Sequence, residues 1–88
     1  LTNINGIDFN IYPNPANDFL FIEYNSIQNS DLTVNLIDVI GKYVCIDTKK
    51  SFAGDYKNQI DLSNYAKGVY FVNIKLNNQN HYIKLILR

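Results

Sequence analysis

The sequence predicts an all-β domain, an antiparallel sandwich of about seven short strands. Apolar and polar residues alternate over short runs, and no segment carries a helical period. The runs are bounded by clusters of Asn, Asp, Gly and Ser, the punctuation expected between strands. Asn occurs at fourteen of the 88 positions, and it suits turns because its side chain bonds nearby backbone and it tolerates positive φ. Many short strands with turn signals between them favour a sandwich over a βαβ arrangement.

Taken in order, residues 1–8 (Leu1 to Asp8) are polar and contain Gly6, and read as a linker; residues 9–88 read as the domain. Phe9 to Tyr12 is a short strand that stops at Pro13. Tyr12-Pro13-Asn14-Pro15 cannot be a central strand, because both prolines lack a donor and fix φ. It predicts a stiff, extended bend that delivers the chain into the next strand, with Asn14 held extended by Pro15. Phe19 to Tyr24 offers Leu20 and Ile22 to one face, with Phe19 and Phe21 on the other. Leu32 to Asp38 offers Leu32, Val34 and Leu36, and Gly41 to Asp47 offers Val44 and Ile46. The turn between them, Asp38 to Lys42, is a tight hairpin in which Gly41 supplies positive φ.

Asn58 to Leu62 is a further short strand, with Ile60 and Leu62 inward. Ser63 to Gly68 then crosses between sheets, with Tyr65 a candidate corner residue whose ring is buried and whose hydroxyl bonds backbone. Gly68 lets the chain turn into Val69 to Leu76, which points Tyr70, Val72, Ile74 and Leu76 inward. The Tyr70 hydroxyl then needs a partner. Asn77 to Asn80 is a second tight hairpin. His81 to Arg88 closes the domain with Ile83, Leu85 and Leu87 inward and Tyr82, Lys84 and Ile86 outward.

Composition excludes several functions. Eighty-eight residues make one domain at most, and one of that size buries only about 60–65% of its unfolded surface. At 47% hydrophobic and 14% aromatic it can still form a core. Eight basic and eight acidic residues cancel, and no basic stripe invites nucleic acid. No apolar run approaches the roughly 18 residues of a membrane helix, and no N-terminal secretory signal is present. The absence of methionine suggests a piece of a longer chain, whose missing partner is expected upstream of the linker. Arg88 follows directly on a strand and is expected to be the natural C-terminus.

No catalytic, cofactor or metal constellation can be assembled. His81 is the single histidine, which excludes a multi-histidine metal site, and its polar neighbours place it in solvent at a strand start. Cys45 is alone, so no internal disulfide forms; it reads as a small, half-buried apolar residue. Asp55 and Asp61 read as turn residues rather than an acid–base pair. Asp31, Asp38, Asp47 and Asp61 fall at strand ends, but their spacing matches no calcium loop. There is no phosphate loop and no nucleophile elbow. Phe19, Phe21, Phe71, Tyr12 and Tyr82 can share an outward face. That face is either ordinary cross-strand packing or a patch that docks a partner or stacks on sugar rings.

Four marks remain, in order: Tyr12-Pro13-Asn14-Pro15, Asp38-Val39-Ile40-Gly41-Lys42, Gly68-Val69-Tyr70-Phe71, and the closing Ile83-Lys84-Leu85-Ile86-Leu87-Arg88. Each is weak alone. Together, from about Phe9 to Arg88, they resemble the C-terminal sorting domain, type A, of proteins exported by the type IX (Por) secretion system of Bacteroidota. The resemblance implies an immunoglobulin-like sandwich and a noncatalytic address label without cofactor. It implies an upstream cargo in the same polypeptide, transit through the periplasm, and recognition by the outer-membrane translocon and its shuttle components. It further implies cleavage by a surface sortase in or beside residues 1–8, anchoring to lipopolysaccharide in many cargos, and a final location at the cell surface or outside. By resemblance, Pro13, Asn14 and Pro15 match the entry motif, Gly41 and Lys42 the central turn, and Gly68 and Tyr70 the last strand start. Lys84 matches the basic position of the closing strand. Arg88 stands where the family usually ends on lysine, which keeps the charge but alters donor geometry.

A physical mechanism goes with this reading. The terminal strand, His81 to Arg88, is expected to be a free edge open to strand addition, with Lys84 and Arg88 fixing register. The same edge offers a route to a homodimer. A different class of function, a carbohydrate-binding or adhesion module of Ig or fibronectin type, requires an exposed aromatic row such as Phe19, Phe21 and Tyr82.

Overall fold

The computed structural model describes the backbone of residues 2–4 and 7–88, and the side chains of residues 9–25 and 29–88. The segment expected to be a linker, residues 1–8, falls largely outside the described residues. Its described backbone forms β1, Thr2–Ile4, which pairs antiparallel with β2, Ile7–Tyr12.

The remaining strands are β3 (Phe19–Ile37), β4 (Tyr43–Asp61), β5 (Gly68–Leu76) and β6 (Gln79–Leu87). All pairings between strands are antiparallel, in one sheet of order β1-β2-β3-β5-β6 with β4 on the other side of β3. The sheet is curled as a half-barrel. The chain is therefore all-β, as its alternation predicts, but with six strands in place of seven. Phe19 to Tyr24 and Leu32 to Asp38 belong to one 19-residue strand. Gly41 to Asp47 and Asn58 to Leu62 likewise belong to a second. The polar stretches between them read as loops because they break the apolar alternation, yet their backbones still pair.

The break in alternation marks the fold's corner. Register along β3–β4 shifts between Ser26 and Ser30, between Ser30 and Leu32, and between Val34 and Asn35. The facing β4 segment holds Ser51 at φ 48° and Gly54 at φ 103°. Bulges bend a strand and increase its local twist, so the long hairpin folds over here. Its first half pairs Phe9–Tyr12 of β2 with Phe21–Tyr24 of β3. Its second half pairs Leu32–Ile37 of β3 with Phe71–Leu76 of β5. One apolar core fills the space between the halves. Phe9, Leu20, Ile22 and Tyr24 come from the first, and Leu32, Val34, Leu36, Val72, Ile74, Leu85 and Leu87 from the second. The inward positions predicted from period-2 alternation in Phe19–Tyr24, Leu32–Asp38 and Val69–Leu76 are all buried.

Four aromatic rings pack near the corner. Tyr24 lies 4.6 Å from Phe9 and 5.3 Å from Tyr56, and Phe52 meets Tyr56 edge-on at 5.9 Å. The Tyr56 hydroxyl donates to Asp47 Oδ2 at 2.8 Å and accepts from Asn58 Nδ2 at 3.2 Å. Burial raises the pKa values of both Tyr24 and Tyr56, because the phenolate would have to form out of water.

Two polar features lie on the convex face of the second half. Asn73 points away from the core but is 1% exposed. It accepts from Asn35 Nδ2 at 3.0 Å and donates to the His81 carbonyl at 3.2 Å. Its cross-strand partner Tyr82 lies near Tyr43 of β4, and this neighbour raises the pKa of the Tyr43 hydroxyl. Cys45, expected to be half-buried, is exposed. Val44 and Ile46 turn toward the core on either side of it, which leaves Cys45 facing outward, 3.5 Å from Thr48 Oγ1. His81 is half-buried inside β6 rather than solvated at its start.

Truncating Leu85, which is fully buried, to alanine should cost about 2–5 kcal/mol in urea unfolding. The stabilising contribution of Tyr24 and Tyr56 should be fully present below pH about 10 and be lost as pH rises above it. The unfolded tyrosines ionise there, while Tyr24 and Tyr56 are held neutral by burial. Tyr56→Phe should flatten that alkaline slope, and an unchanged slope would assign the loss elsewhere.

Candidate functional site

The four marks of the sequence are brought together at one end of the domain, opposite the bulged corner. The β2–β3 connection, the β3–β4 turn, the start of β5 and the end of β6 all meet there. Leu62 N donates to Asp18 O at 2.7 Å, which extends the β3–β4 ladder, and Tyr65 N donates to Leu62 O at 3.0 Å within the turn that follows. Gly68 pairs with Leu87 in the β5–β6 register.

Tyr12-Pro13-Asn14-Pro15 forms a clamp on the last strand. Both X-Pro bonds are cis. Asn14 Nδ2 donates to the Lys84 carbonyl at 2.8 Å, and Asn14 Oδ1 accepts from Ile86 N at 3.2 Å. Ala16, fully buried, continues the contact. Its N–H donates to Ile86 O and its carbonyl accepts from Arg88 N, both at 2.8 Å. This is a parallel bridge between Ala16 and Leu87. The outward backbone groups of β6 from the Lys84 carbonyl to the Arg88 N–H are thus taken. The free edge expected over His81 to Arg88 is not there in that half. Asn14 can do this because its amide carries a donor and an acceptor on one planar group, and the prolines on either side limit where it can point.

The Asp38 to Lys42 turn is built as its sequence predicts. Asp38 N donates to Lys42 O at 3.1 Å and Gly41 N to Asp38 O at 3.0 Å. The Asp38 carboxylate accepts from Ile40 N at 3.1 Å and Lys42 N at 2.9 Å. Gly41 sits at φ 88°, where a side chain would be strained. Val39 and Ile40 protrude from the tip, 74% and 85% exposed.

Gly68 has φ 147° and opens β5. Tyr70 is buried, and its hydroxyl donates to the Ala66 carbonyl at 2.5 Å. The corner role expected of Tyr65 thus falls to Tyr70, four residues after the carbonyl it holds. Tyr65 instead packs half-buried and edge-on against Tyr70, with centroids 6.3 Å apart. The second expected hairpin also forms. Asn77 sits at φ 54°, its N–H donates to Asp31 O at 2.8 Å, and its Oδ1 accepts from Asp31 N at 3.0 Å.

Lys42, Lys67, Lys84 and Arg88 are exposed at or beside this end. Among the described residues none of the four lies within ion-pair distance of a carboxylate; the one ion pair, Lys57–Glu23 at 3.5 Å, is on the first half. The nearby carboxylates are turned to their own loops. Asp61 accepts from Ser63 N at 2.9 Å, and the Ser63 bonds hold its carboxyl below the ordinary value. Asp31 and Asp47, expected at strand ends, lie inside β3 and β4 and bond Ser51 N and Tyr56 Oη. Asp55 accepts from Asn25. These are turn and bulge interactions, with none of the paired geometry of acid–base work.

The aromatic residues expected to share one outward face are divided. Tyr12 and Phe21 stack at 5.3 Å on the first half, beside Phe19. Phe71 and Tyr82 lie on the second half, across the core. Sequence reasoning missed Ala16 and Asn73. Ala16 follows the Pro-Asn-Pro run and carries no signal by itself. Asn73 sits at an outward position of β5 yet is buried, with its amide bonded to Asn35 and to the His81 carbonyl.

The family of secretion system C-terminal sorting domains matches residues 10–88. The chain belongs to that family. It is a sorting domain of the type IX secretion system, and no catalytic role attaches to that family. An endo-acting ulvan lyase of Formosa agariphila is 31% identical to it over 80 residues, which cover 91% of this chain and 14% of the lyase. The sorting domain thus spans a small fraction of the length of that relative.

Replacing Asn14 with alanine removes both side-chain bonds to β6. The expected loss is about 1–2 kcal/mol, with faster amide hydrogen exchange at Ile86 and little change at Val72 in the core. Equal acceleration at both would mean that the clamp has no local effect.

Proposed function

We propose that this sorting domain directs an upstream cargo in the same polypeptide through the type IX translocon, across the outer membrane, after transit through the periplasm. The observation that carries the reading is the family match over residues 10–88. Its four motifs meet in one folded end, so the signal is read as a surface rather than as a linear tag. Translocon and shuttle components are its partners there. Pro13, Asn14 and Pro15 serve the signal by fixing β6, Gly41 by shaping the central turn, and Gly68 and Tyr70 by setting the entry to β5. Lys84, Arg88 and Lys42 are the residues left to make outward contacts.

In this reading a surface sortase cuts in or beside residues 1–8 and transfers the cargo to lipopolysaccharide. The likeness to a polysaccharide lyase supports a cargo that acts outside the cell, since a sorting tail of this kind is useful to such an enzyme. The alternative, a carbohydrate-binding or adhesion module, needs an exposed aromatic row, and the row of Phe19, Phe21 and Tyr82 is split between the two halves.

Deleting Lys84 to Arg88 is a poor test, because Leu85 and Leu87 are core residues and the domain itself would unfold. The informative test fuses residues 1–88 to a fluorescent reporter carrying an inner-membrane export signal, in a Bacteroidota host. Reporter outside the cell only when the translocon works, with loss of about the domain's mass, is the expected result. Retention of a folded, full-length fusion in the periplasm of both strains would sink the reading.

A further inference from the structure

Among the described residues Asn73 is the most deeply buried polar side chain, and it belongs to none of the four sequence marks. A polar group placed there costs stability unless its hydrogen bonds are made. Asn73 makes them to two different strands. Its Oδ1 accepts from Asn35 Nδ2 of β3 at 3.0 Å. Its Nδ2 donates to the His81 carbonyl at 3.2 Å and to Asn80 Oδ1 at 3.4 Å, both on β6. One side chain in β5 thus ties the strands on both sides of it.

Apolar patterning leaves the pairing of these strands open. A one-residue slip turns the apolar side chains to the wrong face, and the core forbids it. A slip of two residues restores the facing. Leu32, Val34 and Leu36 of β3 stand opposite Leu76, Ile74 and Val72 of β5, so such a slip exchanges one aliphatic neighbour for another. The outward face is different. Native pairing sets Asn35 opposite Asn73. One two-residue slip sets Asn35 opposite Phe71, and the other sets Asn73 opposite Ile37. Either leaves an amide facing a side chain that offers no hydrogen bond. A second polar tie, Asn77 to Asp31, lies at the bulge between Ser30 and Leu32. It holds the end of the hairpin to an irregular segment and not to the regular ladder.

We infer that Asn73, through Asn35 and β6, is a positioning residue that fixes the register of β3, β5 and β6. A buried polar side chain can specify register at a cost in stability. The register sets Gly68 opposite Leu87 and Phe71 opposite Lys84. It therefore decides which groups of β6 meet Asn14 and Ala16. In a β6 slipped by two residues, Tyr82 or Ile86 stands opposite Phe71 in place of Lys84, and the four marks no longer meet in one end. The effect on export rests on the sorting reading; the effect on register does not.

The test replaces both amides, N35V/N73V, in the whole chain. Exchanging both partners of a buried hydrogen bond for apolar groups is nearly neutral, so the melting temperature should stay within about 5 °C of wild type. The amide NMR spectrum should show a second set of signals for β5 and β6, with Phe71 in contact with Tyr82 or Ile86 across the strands. Hydrogen exchange at Ile86 should accelerate. N35T, which keeps a hydroxyl to donate to Asn73 Oδ1, should give one set of signals. Export of the N35V/N73V reporter fusion should fall about twofold or more, in proportion to the fraction left in the native register. One set of signals from folded N35V/N73V, at any melting temperature, overturns the register role. An unfolded N35V/N73V overturns it as well, since the pair then acts through stability. Failure of the wild-type fusion to leave the cell overturns the sorting reading and leaves the spectra to decide the register.

Discussion

The fold is closed by a contact between distant parts of the chain. Asn14 and Lys84 are 70 residues apart, and Asn14 and Ile86 are 72 apart, yet they share two hydrogen bonds. A bent β-hairpin with strands added on either side would leave β6 as an open margin. The clamp of Asn14 and Ala16 bonds that margin to the β2–β3 connection. The two halves of the sheet are then held at one end by the clamp and at the other by the bulged corner of β3 and β4. Leu85 and Leu87 are carried into the core by the strand that the clamp fixes. Edge strands left open invite pairing with other chains, and here the end of the last strand is occupied from within the chain.

Period-2 alternation made much of this legible. It identified the inward residues of β5 and most of those of β3, because one face is buried and the side-chain period admits no drift. It could not show that β3 and β4 run through the corner. The register slips between Ser26, paired with Gly54, and Ser30, paired with Phe52, and such a bulge leaves no apolar signature. The same limit explains Asn73. Its position says outward, and only its side-chain bonds to the neighbouring strands, with Asn35 and the His81 carbonyl, show that it is buried there. The sequence offers two tyrosines near the crossing, and nothing in it says that Tyr70 rather than Tyr65 reaches back to a loop carbonyl.

The functional site was legible in a different way. The motifs could be named from the chain, but not their meeting place. Three of the four act through geometry. Asn14 bonds backbone, Gly41 and Gly68 adopt positive φ, and Tyr70 holds a carbonyl. A reading that looks for chemistry in such residues finds none, because each bonds or bends the backbone. The side chains left to face outward are Val39, Ile40 and the cations, which lie within or beside the motifs rather than at their most recognisable positions.

The long-range closure also governs when the molecule becomes readable. A chain that ends before Leu87 lacks the second half of the bridge to Ala16 and part of the core, and its folded end cannot assemble. The folded end therefore forms only from a chain that carries both the Pro-Asn-Pro run and the close of β6, so its shape depends on residues 70 and 72 positions apart.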